Sequence, residues 1–173
     1  MYIEIKKDLN GSVLDIGGGG EAVIGKIYRD KVTAVDNRQE ELDAVPDCCA
    51  KQRMDAAELL FPDGSFDNVT FFYTLMYMTE ETQRRAIREA ARVLRSGGFI
   101  SVWDCDIGSA YPEPFLVELD INADGNMIYT TYGIVKKDTQ SSGSIIRLLE
   151  QEGLRIDSLQ EDAGQFRIRC VKQ

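Results

Sequence analysis

Four consecutive glycines follow a short apolar segment in the stretch VLDIGGGGE, residues 13–21. Glycine has no Cβ atom, so such a run lets the backbone turn sharply and lets a ligand approach it closely. A helical pattern over residues 21–28 comes next, and a second apolar strand, residues 32–35, ends in Asp36. This unit predicts a site for a nucleoside-containing cofactor, because the helix N-terminus offers unpaired N–H groups and an acidic residue about 20 positions on can hold ribose hydroxyls.

The size and charge of the chain limit the classes of protein to which it can belong. Its 173 residues suit a single domain, and 43% hydrophobic and 28% charged residues are typical of a globular protein. The net charge of −9 and the lack of a Lys/Arg cluster disfavour nucleic acid as a partner, because such binding depends on neutralising phosphates. We expect no signal peptide and no membrane span, since no stretch approaches about 18 apolar residues.

The cysteine and histidine counts limit the chemistry. None of the four cysteines has CxxC spacing, so we expect no metal site, and a reduced, cytoplasmic protein is favoured. The chain has no histidine, which excludes Ser-His-Asp and Cys-His nucleophile systems. Any general base must therefore be Asp, Glu, Tyr, Lys or Cys.

Strand and helix patterns alternate along the chain, which predicts an α/β fold with a mostly parallel sheet and helices on both faces. The predicted strands cover residues 12–16, 32–35, 51–54, 66–72, 99–103, 154–159 and 165–171. The predicted helices cover residues 21–28 and 38–44, a segment that starts after Thr79, and residues 142–152. Thr79 is expected to cap the third helix, with Arg95 in its last turn and Gly97 at its C-cap.

Residues 115–121 and 126–135 interrupt this alternation, because they read as two strands joined by a turn at Asp124-Gly125. They predict an inserted antiparallel hairpin, about residues 112–136. Its apolar surface is expected to comprise Phe115, Val117, Leu119, Ile121, Ile128, Tyr129, Tyr132 and Ile134. An edge of this kind can roof a pocket or pair with another chain, and we expect a homodimer formed through the hairpin.

The glycine run has three alternative interpretations: a dinucleotide-binding fold, a P-loop and a turn without a ligand. Gly17, Gly19 and Ala22 satisfy the G-x-G-x-x-A pattern of dinucleotide-binding folds, with Asp36 at the expected distance. A P-loop is disfavoured because Ile27 stands where a Mg²⁺-binding Ser or Thr is needed. A turn without a ligand needs only one or two glycines, and each glycine costs about 0.5–1 kcal/mol of backbone entropy relative to alanine.

A fourth interpretation covers more of the chain. The blocks VLDIGGGGE, VTAVD, MDAAELLFPDGSFDNVTFFYTLMYM and RVLRSGGFISVWD occur in this order over residues 13–106. In these blocks, and in the acidic Asp15 before the glycines, the chain resembles the class I S-adenosylmethionine-dependent methyltransferases. It is most similar to the ubiquinone and menaquinone biosynthesis branch. The resemblance implies a three-layer Rossmann-like fold whose seven-stranded, mostly parallel sheet has an antiparallel last strand, and it implies S-adenosyl-L-methionine as the cofactor.

The resemblance also implies roles for individual residues. Asp15 would brace the loop, and Gly17, Gly18 and Gly19 would line the methionine end of the cofactor. Asp36 would accept hydrogen bonds from both ribose hydroxyls. The remaining expected cofactor contacts are Asn37 at the adenosine edge, Asp55 and the Ala56 N–H at adenine, and the backbone of Phe72 and Tyr73 by the methionine ammonium group.

The acceptor and any general base are not defined by these motifs. Tyr73, Tyr77 and Asp104 are weak candidates for a base near the carboxyl ends of the strands, together with Asp106 and Tyr111. We expect a small-molecule methyl acceptor, because the chain lacks the D/N-P-P-Y/F motif of the family's nucleic-acid branches. A cofactor-binding protein without catalysis, acting as a sensor or assembly partner, is the alternative. Two departures from the family motivate it: Glu21 replaces the last motif glycine, and only about ten residues precede the first predicted strand.

Overall fold

A seven-stranded sheet forms the centre of the protein in the computed structural model, which describes residues 1–108, 115–135 and 138–173. Its strands are β2 (Val13–Ile16), β3 (Val32–Asp36), β4 (Ala50–Arg53), β5 (Phe66–Phe72), β6 (Leu94–Cys105), β9 (Leu154–Asp162) and β10 (Gln165–Lys172). They lie side by side in the order β4-β3-β2-β5-β6-β10-β9. Only β10 runs against the others, since it is antiparallel to both β6 and β9. The α/β fold with a mostly parallel sheet and an antiparallel last strand is confirmed.

Helices cover both faces of this sheet. They are α1 (Val23–Tyr28), α2 (Gln39–Ala44), α3 (Glu80–Val93) and α4 (Ser142–Gln151). One apolar core packs α3 and α4 against the face formed by residues such as Leu14, Val69 and Ile100. A second core packs α1 against the opposite face. No helix of the described residues is long and apolar enough to cross a membrane.

The end of α3 differs from the sequence-based expectation. Thr79 caps the helix as predicted, with its hydroxyl accepting from the Thr82 N–H at 3.3 Å. The helix ends at Val93, however, so the placement of Arg95 in its last turn and of Gly97 at its C-cap was wrong. Gly97, at φ +77°, instead lies inside β6, where the pairing with β5 shifts register. A glycine suits both a helix end and a β-bulge, and the sequence pattern did not distinguish the two.

The predicted hairpin is confirmed and belongs to a second, smaller sheet. Strands β7 (Phe115–Ala123) and β8 (Asn126–Ile134) are antiparallel, and β1 (Tyr2–Ile5) adds to β7 in parallel. The sequence analysis assigned no strand to residues 2–5. Residues 109–114, 136 and 137, at the predicted ends of the hairpin, lie outside the described residues.

The small sheet packs its inner face onto the second core. Val117, Leu119 and Ile121 of β7 are fully buried there, next to α1. Tyr129 is 68% exposed and pairs with Asp120 on the outer face, so the apolar surface that it supplies faces away from the second core. The small sheet therefore covers part of one face of the main sheet, beside α1.

Candidate cofactor site

The glycine loop leaves β2 at Gly17 and reaches α1 through Gly20. The N–H groups of Gly17 and Gly18 both donate to the carbonyl oxygen of Val35, at 2.8 and 3.1 Å. Gly17 has φ +73°, and a Cβ atom there would lie 2.3 Å from Thr74. A Cβ atom at Gly18 would lie 2.6 Å from the Asp15 carboxylate. Larger residues do not fit at these two positions, so the loop forms a close backbone surface at the carboxyl end of the strands.

The tip of β3 lies against the same loop. A Cβ atom at Gly19 would be 2.8 Å from Oδ2 of Asp36 and 2.5 Å from Cβ of Glu41 in α2. Gly20 donates its N–H to the Glu41 carbonyl at 2.9 Å. The structure thus brings together the glycines and Asp36, as the sequence spacing predicted. The contact with Glu41 was missed, and its only sequence signal was its place in the helix after Asp36.

Asp36 is half-buried, and Oδ1 accepts one hydrogen bond from the Arg38 N–H at 2.9 Å. Arg38 in turn pairs with Glu41 at 3.1 Å. Asn37 is exposed, and its carbonyl accepts from Nε of Arg53 at 3.1 Å. A carboxylate has about four acceptor positions, so Asp36 retains capacity for two neighbouring hydroxyl donors.

The turn after β4 carries the predicted adenine contacts. The Met54 N–H donates to the Asp36 carbonyl at 3.0 Å, which holds this turn beside the end of β3. Asp55 is exposed, and its Oδ1 accepts from the Ala57 N–H at 2.8 Å. Ala56 is half-buried and packs on the core that contains α3. Asp55 and Ala56 therefore lie next to Asp36, on the side of the loop away from β5.

Asp15 lies beneath the loop and is 2% exposed. Its Oδ1 accepts a hydrogen bond from the Thr70 hydroxyl at 2.7 Å. Burial raises the pKa of the Asp15 carboxyl to about 7, against the lowering effect of the Thr70 bond, and the charge of Asp36 adds to the rise. Asp15 is therefore poised between its neutral and charged forms near neutral pH.

Phe72 and Tyr73 stand at the end of β5. Tyr73 is a non-glycine residue at φ +49°, and its N–H donates to the Trp103 carbonyl at 2.8 Å. Such a backbone conformation costs about 1–3 kcal/mol and persists only where the surrounding structure fixes it. The Tyr73 hydroxyl donates to Oε1 of Gln165 at 2.9 Å, and burial raises the pKa of this phenol well above its usual value.

Tyr132 of β8, which the sequence analysis named only as part of the apolar surface of the hairpin, lies beside Tyr73. Its ring stacks on Tyr73, with centroids 5.2 Å apart and planes 8° apart. Burial raises the pKa of the Tyr132 phenol, and the charges of Asp15 and Glu21 raise it further. The hairpin therefore reaches the neighbourhood of the glycine loop. The sequence analysis assigned Tyr132 to no face of the hairpin, and no local signal identified its partner.

The other base candidates occupy different environments. Asp104 is fully buried, and its carboxylate accepts from the Met76 N–H at 3.1 Å and from Nε2 of Gln140 at 2.8 Å. Tyr77 is 50% exposed, and its partial burial raises the pKa of its phenol against the lowering effect of a hydrogen bond with the Gly133 backbone. Asp106 caps the start of α4 by accepting from the Ser142 N–H at 3.1 Å. Tyr111 lies outside the described residues.

Glu21, the departure from the family motif, is exposed. Its carboxylate pairs with Nζ of Lys26 at 2.9 Å, and both side chains are solvent-accessible. This pairing lowers the charge that Glu21 presents to the loop. Among the residues that the structure describes, no group of three or more acidic or cysteine side chains is placed to hold a metal ion.

Comparison with known sequences decides the family. Residues 14–102 match the sequence model of a family described as a methyltransferase domain. The chain belongs to this methyltransferase domain family. Its cofactor is S-adenosyl-L-methionine. Because side chains do not fit at Gly17, Gly18 and Gly19, the loop can hold a ligand close to its backbone. The ubiquinone and menaquinone branch stays a prediction.

Individual relatives agree with this assignment. The methyltransferase domain is 29% identical over 166 residues to a 27-O-demethylrifamycin SV methyltransferase of Amycolatopsis mediterranei. That match covers 89% of this chain and 57% of the relative, so the chain spans little more than half the length of that protein.

Solved structures share the fold. A methyltransferase from Methanosarcina mazei superposes with a TM-score of 0.67 at 19% identity, covering 95% of this chain and 94% of that one. A glycopeptide N-methyltransferase superposes with a TM-score of 0.68 at 16% identity, covering 96% and 85%. At these identities the likeness establishes the fold of the methyltransferase domain and leaves its acceptor open.

Proposed function

We propose that this domain transfers a methyl group from S-adenosyl-L-methionine to a small-molecule acceptor. One observation carries the proposal: the Gly17–Gly19 backbone, the Asp36 carboxylate and the turn at Asp55 meet at the carboxyl ends of β2, β3 and β4. In open α/β sheets, ligands bind at this edge. The relative from Amycolatopsis is named for methylation of a rifamycin, which supports a small molecule as acceptor.

The cofactor contacts follow from the resemblance and are consistent with the geometry. Asp36 and Asn37 would hold the ribose and the adenosine edge, and Asp55 with the Ala56 N–H would hold adenine. Gly17, Gly18 and Gly19 would face the methionine end above Asp15. The backbone of Phe72 and Tyr73 would lie by the methionine ammonium group.

The bound cofactor would supply an activated methyl group on a positive sulfonium. The chain's own task is alignment, which can contribute several kcal/mol to lowering a barrier. Tyr73 and Tyr132, whose rings stack beside the loop, would wall the reacting centre and exclude water. Ionisation of Asp15, with its pKa about 7, would favour a cationic ligand above neutral pH.

We propose that the acceptor needs little help from a protein base. Burial raises the pKa values of the Tyr73 and Tyr77 phenols, so both stay protonated near neutral pH. Asp104 is buried, and its hydrogen bonds join β6 to Gln140 and to the segment after β5. This placement supports a structural role for Asp104. The acceptor would then be nucleophilic in its neutral form or already ionised at working pH.

We also propose a homodimer formed through the small sheet. In the described part of the chain, β8 pairs only with β7 and so presents an open edge. The strand also carries the exposed side chains of Met127 and Tyr129. Open edges favour pairing with another strand. Gel filtration of the wild type would return a dimer, and a Tyr129→Glu variant would shift toward monomer. A wild type that elutes as a monomer at every concentration contradicts this part.

A cytoplasmic location remains part of the proposal. Cys48, Cys49, Cys105 and Cys170 are all free thiols, and the Sγ atoms of Cys48 and Cys49 lie 3.9 Å apart without a bond. Free thiols are typical of a reducing compartment. A quantitative thiol titration of protein isolated under non-reducing conditions would return four thiols.

The test of the function is turnover. Wild-type protein is incubated with methyl-labelled S-adenosylmethionine and a panel of small hydroxylated and amino compounds, and S-adenosylhomocysteine is quantified. We expect acceptor-dependent product formation. An Asp36→Asn variant should lose about tenfold or more of this activity at limiting cofactor, while the exposed Asp43→Asn variant should match wild type. Cofactor binding without turnover on any acceptor would contradict the proposal and favour the sensor alternative.

A further inference from the structure

Two adjacent cysteines form a pair of thiols in the turn between α2 and β4. The Sγ atoms of Cys48 and Cys49 lie 3.9 Å apart, and both residues are half-buried free thiols. Neighbouring side chains of an extended strand point to opposite faces. Here the Cys48 N–H donates to the Pro46 carbonyl at 2.7 Å, and in this turn both thiols lie on the same side. The chain therefore presents the two sulfur atoms together, and both remain accessible to a solute.

Both sulfur atoms lie against the backbone of α1 at Gly25. A Cβ atom at this position would lie 2.8 Å from Sγ of Cys49 and 3.5 Å from Sγ of Cys48. Glycine inside a helix costs about 1 kcal/mol relative to alanine, so a packing reason for it is expected. Gly25 leaves the space that the two thiols occupy.

A direct disulfide between these two neighbours is unfavourable. The Cα atoms of consecutive residues are about 3.8 Å apart, whereas disulfides usually join Cα atoms about 4.4–6.8 Å apart. A single atom that bridges the two sulfurs avoids this strain. Metal–sulfur bonds of about 2.3 Å, the length found for zinc, span the 3.9 Å between the sulfurs with an S–metal–S angle of about 115°. That angle suits trigonal or tetrahedral coordination.

The surroundings of the pair favour a thiol that reacts only with a metal ion. Burial raises the pKa of the Cys49 thiol to about 12, and the neighbouring Cys48 and the charge of Asp15 add to the rise. A protonated thiol is a weak nucleophile, so its oxidation is slow. A metal ion binds the thiolate and displaces the proton: two sulfur–metal bonds form, two S–H bonds break, and both protons pass to the solvent.

The charges near the pair act on a bound cation in opposite directions. Asp15 raises the pKa of Cys49, and the same negative charge would attract a cation held by the thiolates. Lys51 lowers the pKa of Cys49 and would repel a cation. The Lys51 ammonium, however, donates to the Val45 carbonyl at 2.8 Å, which holds it in a hydrogen bond of its own.

The sulfur ligands select the class of metal. Thiolates favour soft ions such as Zn²⁺ and Cu⁺, whereas Mg²⁺ and Ca²⁺ prefer oxygen ligands. Over the described residues, no third cysteine or acidic side chain joins the pair in a group that could hold a metal. Water or a small thiol would therefore fill the remaining coordination positions.

We propose that Cys48 and Cys49 chelate one soft metal ion, Zn²⁺ or Cu⁺, as a pair of thiolates against the backbone of α1. The lack of CxxC spacing predicted no metal site, but the turn after Pro46 brings adjacent thiols to a chelating distance without that spacing. Because α1 follows the glycine loop, the ion would lie one element away from the cofactor site. The metal site does not depend on the proposed methyl transfer.

Cadmium makes the test spectroscopic, because its thiolate complexes absorb in the ultraviolet and it prefers the same sulfur ligands. Reduced wild-type protein, freed of metal with a chelator, is titrated with Cd²⁺. We expect a charge-transfer band that saturates at one equivalent. Zn²⁺ and, under anaerobic conditions, Cu⁺ are then added in separate arms. Each should displace cadmium, and the concentrations needed rank the two ions. Displacement by Mg²⁺ at the same concentration would contradict a thiolate site.

Three variants accompany this titration. Cys48→Ser and Cys49→Ser should each weaken cadmium binding more than about 100-fold, because groups that only hydrogen-bond a metal ligand already contribute about 10–100-fold. Cys170→Ala removes a buried thiol elsewhere and should bind cadmium like wild type. Circular dichroism checks that each variant is folded.

Three results would overturn the proposal. One is a wild-type protein that gives no charge-transfer band or needs more than one equivalent of cadmium to saturate it. Another is a folded Cys48→Ser or Cys49→Ser variant that binds cadmium as tightly as wild type. The third is an equal loss of binding in a folded Cys170→Ala variant. The stoichiometry of the wild type decides the matter even where a serine variant does not fold.

Discussion

The glycine loop and the small sheet lie close enough for the charge of Asp15 to raise the pKa of Tyr132, yet they are constrained in opposite ways. In the loop, a Cβ atom at Gly17 or Gly18 would lie 2.3 or 2.6 Å from a neighbouring side chain. In the hairpin turn, Gly125 also has a positive φ, +88°, but an added Cβ atom would meet open space. The loop is thus fixed by close steric contacts at its glycines, whereas the hairpin turn has open space around it and the hairpin is held by the packing of its strands.

Substituting these two glycines gives the largest expected difference between the regions. Gly17→Ala adds steric overlap with Thr74 to the strain of a positive φ, and should destabilise the fold by about 3 kcal/mol or more. It should also lower the affinity for S-adenosylhomocysteine about 100-fold. Gly125→Ala carries the strain alone, about 1–2 kcal/mol, and should leave affinity unchanged. Urea unfolding and calorimetry measure both, and equal effects of the two variants would contradict the comparison.

Asp15, beneath the loop, should make the free energy of unfolding of the protein depend on pH. Its folded pKa of about 7 is above the ordinary value of 3.8, so between those pH values the folded state holds a proton that the unfolded state has lost. The group therefore lowers the free energy of unfolding by about 1.4 kcal/mol for each unit of rising pH across that window. Asp15→Asn keeps an acceptor for Thr70 and removes this slope.

Urea unfolding of both proteins at several pH values checks this effect. Wild type should lose stability relative to Asp15→Asn between pH 4 and pH 7, with no further divergence above that range. Parallel curves for the two proteins would show that Asp15 does not titrate there. The exposed Asp43→Asn variant serves as the control for a carboxylate outside the loop.

Substitutions of two tyrosines in β8 should give the smallest difference in stability, and this difference compares the two faces of one strand. Tyr132 stacks on Tyr73, so Tyr132→Ala should destabilise the fold by about 2 kcal/mol and weaken acceptor binding. Tyr129 is 68% exposed in the single chain, so Tyr129→Ala should stay within about 0.5 kcal/mol of wild type at protein concentrations where the proposed dimer is dissociated. Thermal unfolding and KM measurements distinguish the two, and equal losses would contradict the assignment of inner and outer faces.

The sequence-based predictions were more accurate for the glycine loop than for the small sheet. The loop, its flanking strands and Asp36 could be predicted because their determinants are neighbours in sequence: glycines, an apolar strand and an acidic tip. The family resemblance placed Asp55 at the same cofactor as Asp36, and the meeting of the carboxyl ends of parallel strands at one edge agrees with that placement. The pattern of α3 was equally strong until its end, where Gly97 was compatible with either a helix cap or a bulge.

What could not be predicted depends on pairing across long sequence distances. Residues 2–5 are too short to read as a strand, and β1 forms only because β7, more than 100 residues later, pairs with it. The sequence indicated only that Tyr132 adds apolar surface to the hairpin, and its stacking on Tyr73 follows from how the hairpin folds over β5. The hydrogen bonds of Asp104 to Gln140 likewise join segments that no motif connects.

The central claim is that the glycine loop and Asp36 bind an adenosyl cofactor, and calorimetry tests it most directly. Wild-type protein is titrated with S-adenosylhomocysteine and, separately, with NADH; Asp36→Asn is titrated with S-adenosylhomocysteine. We predict saturable binding of S-adenosylhomocysteine, a loss of about 1–3 kcal/mol in the variant, and no binding of NADH. Unchanged affinity in a folded Asp36→Asn variant, or binding of NADH in place of S-adenosylhomocysteine, would contradict the account.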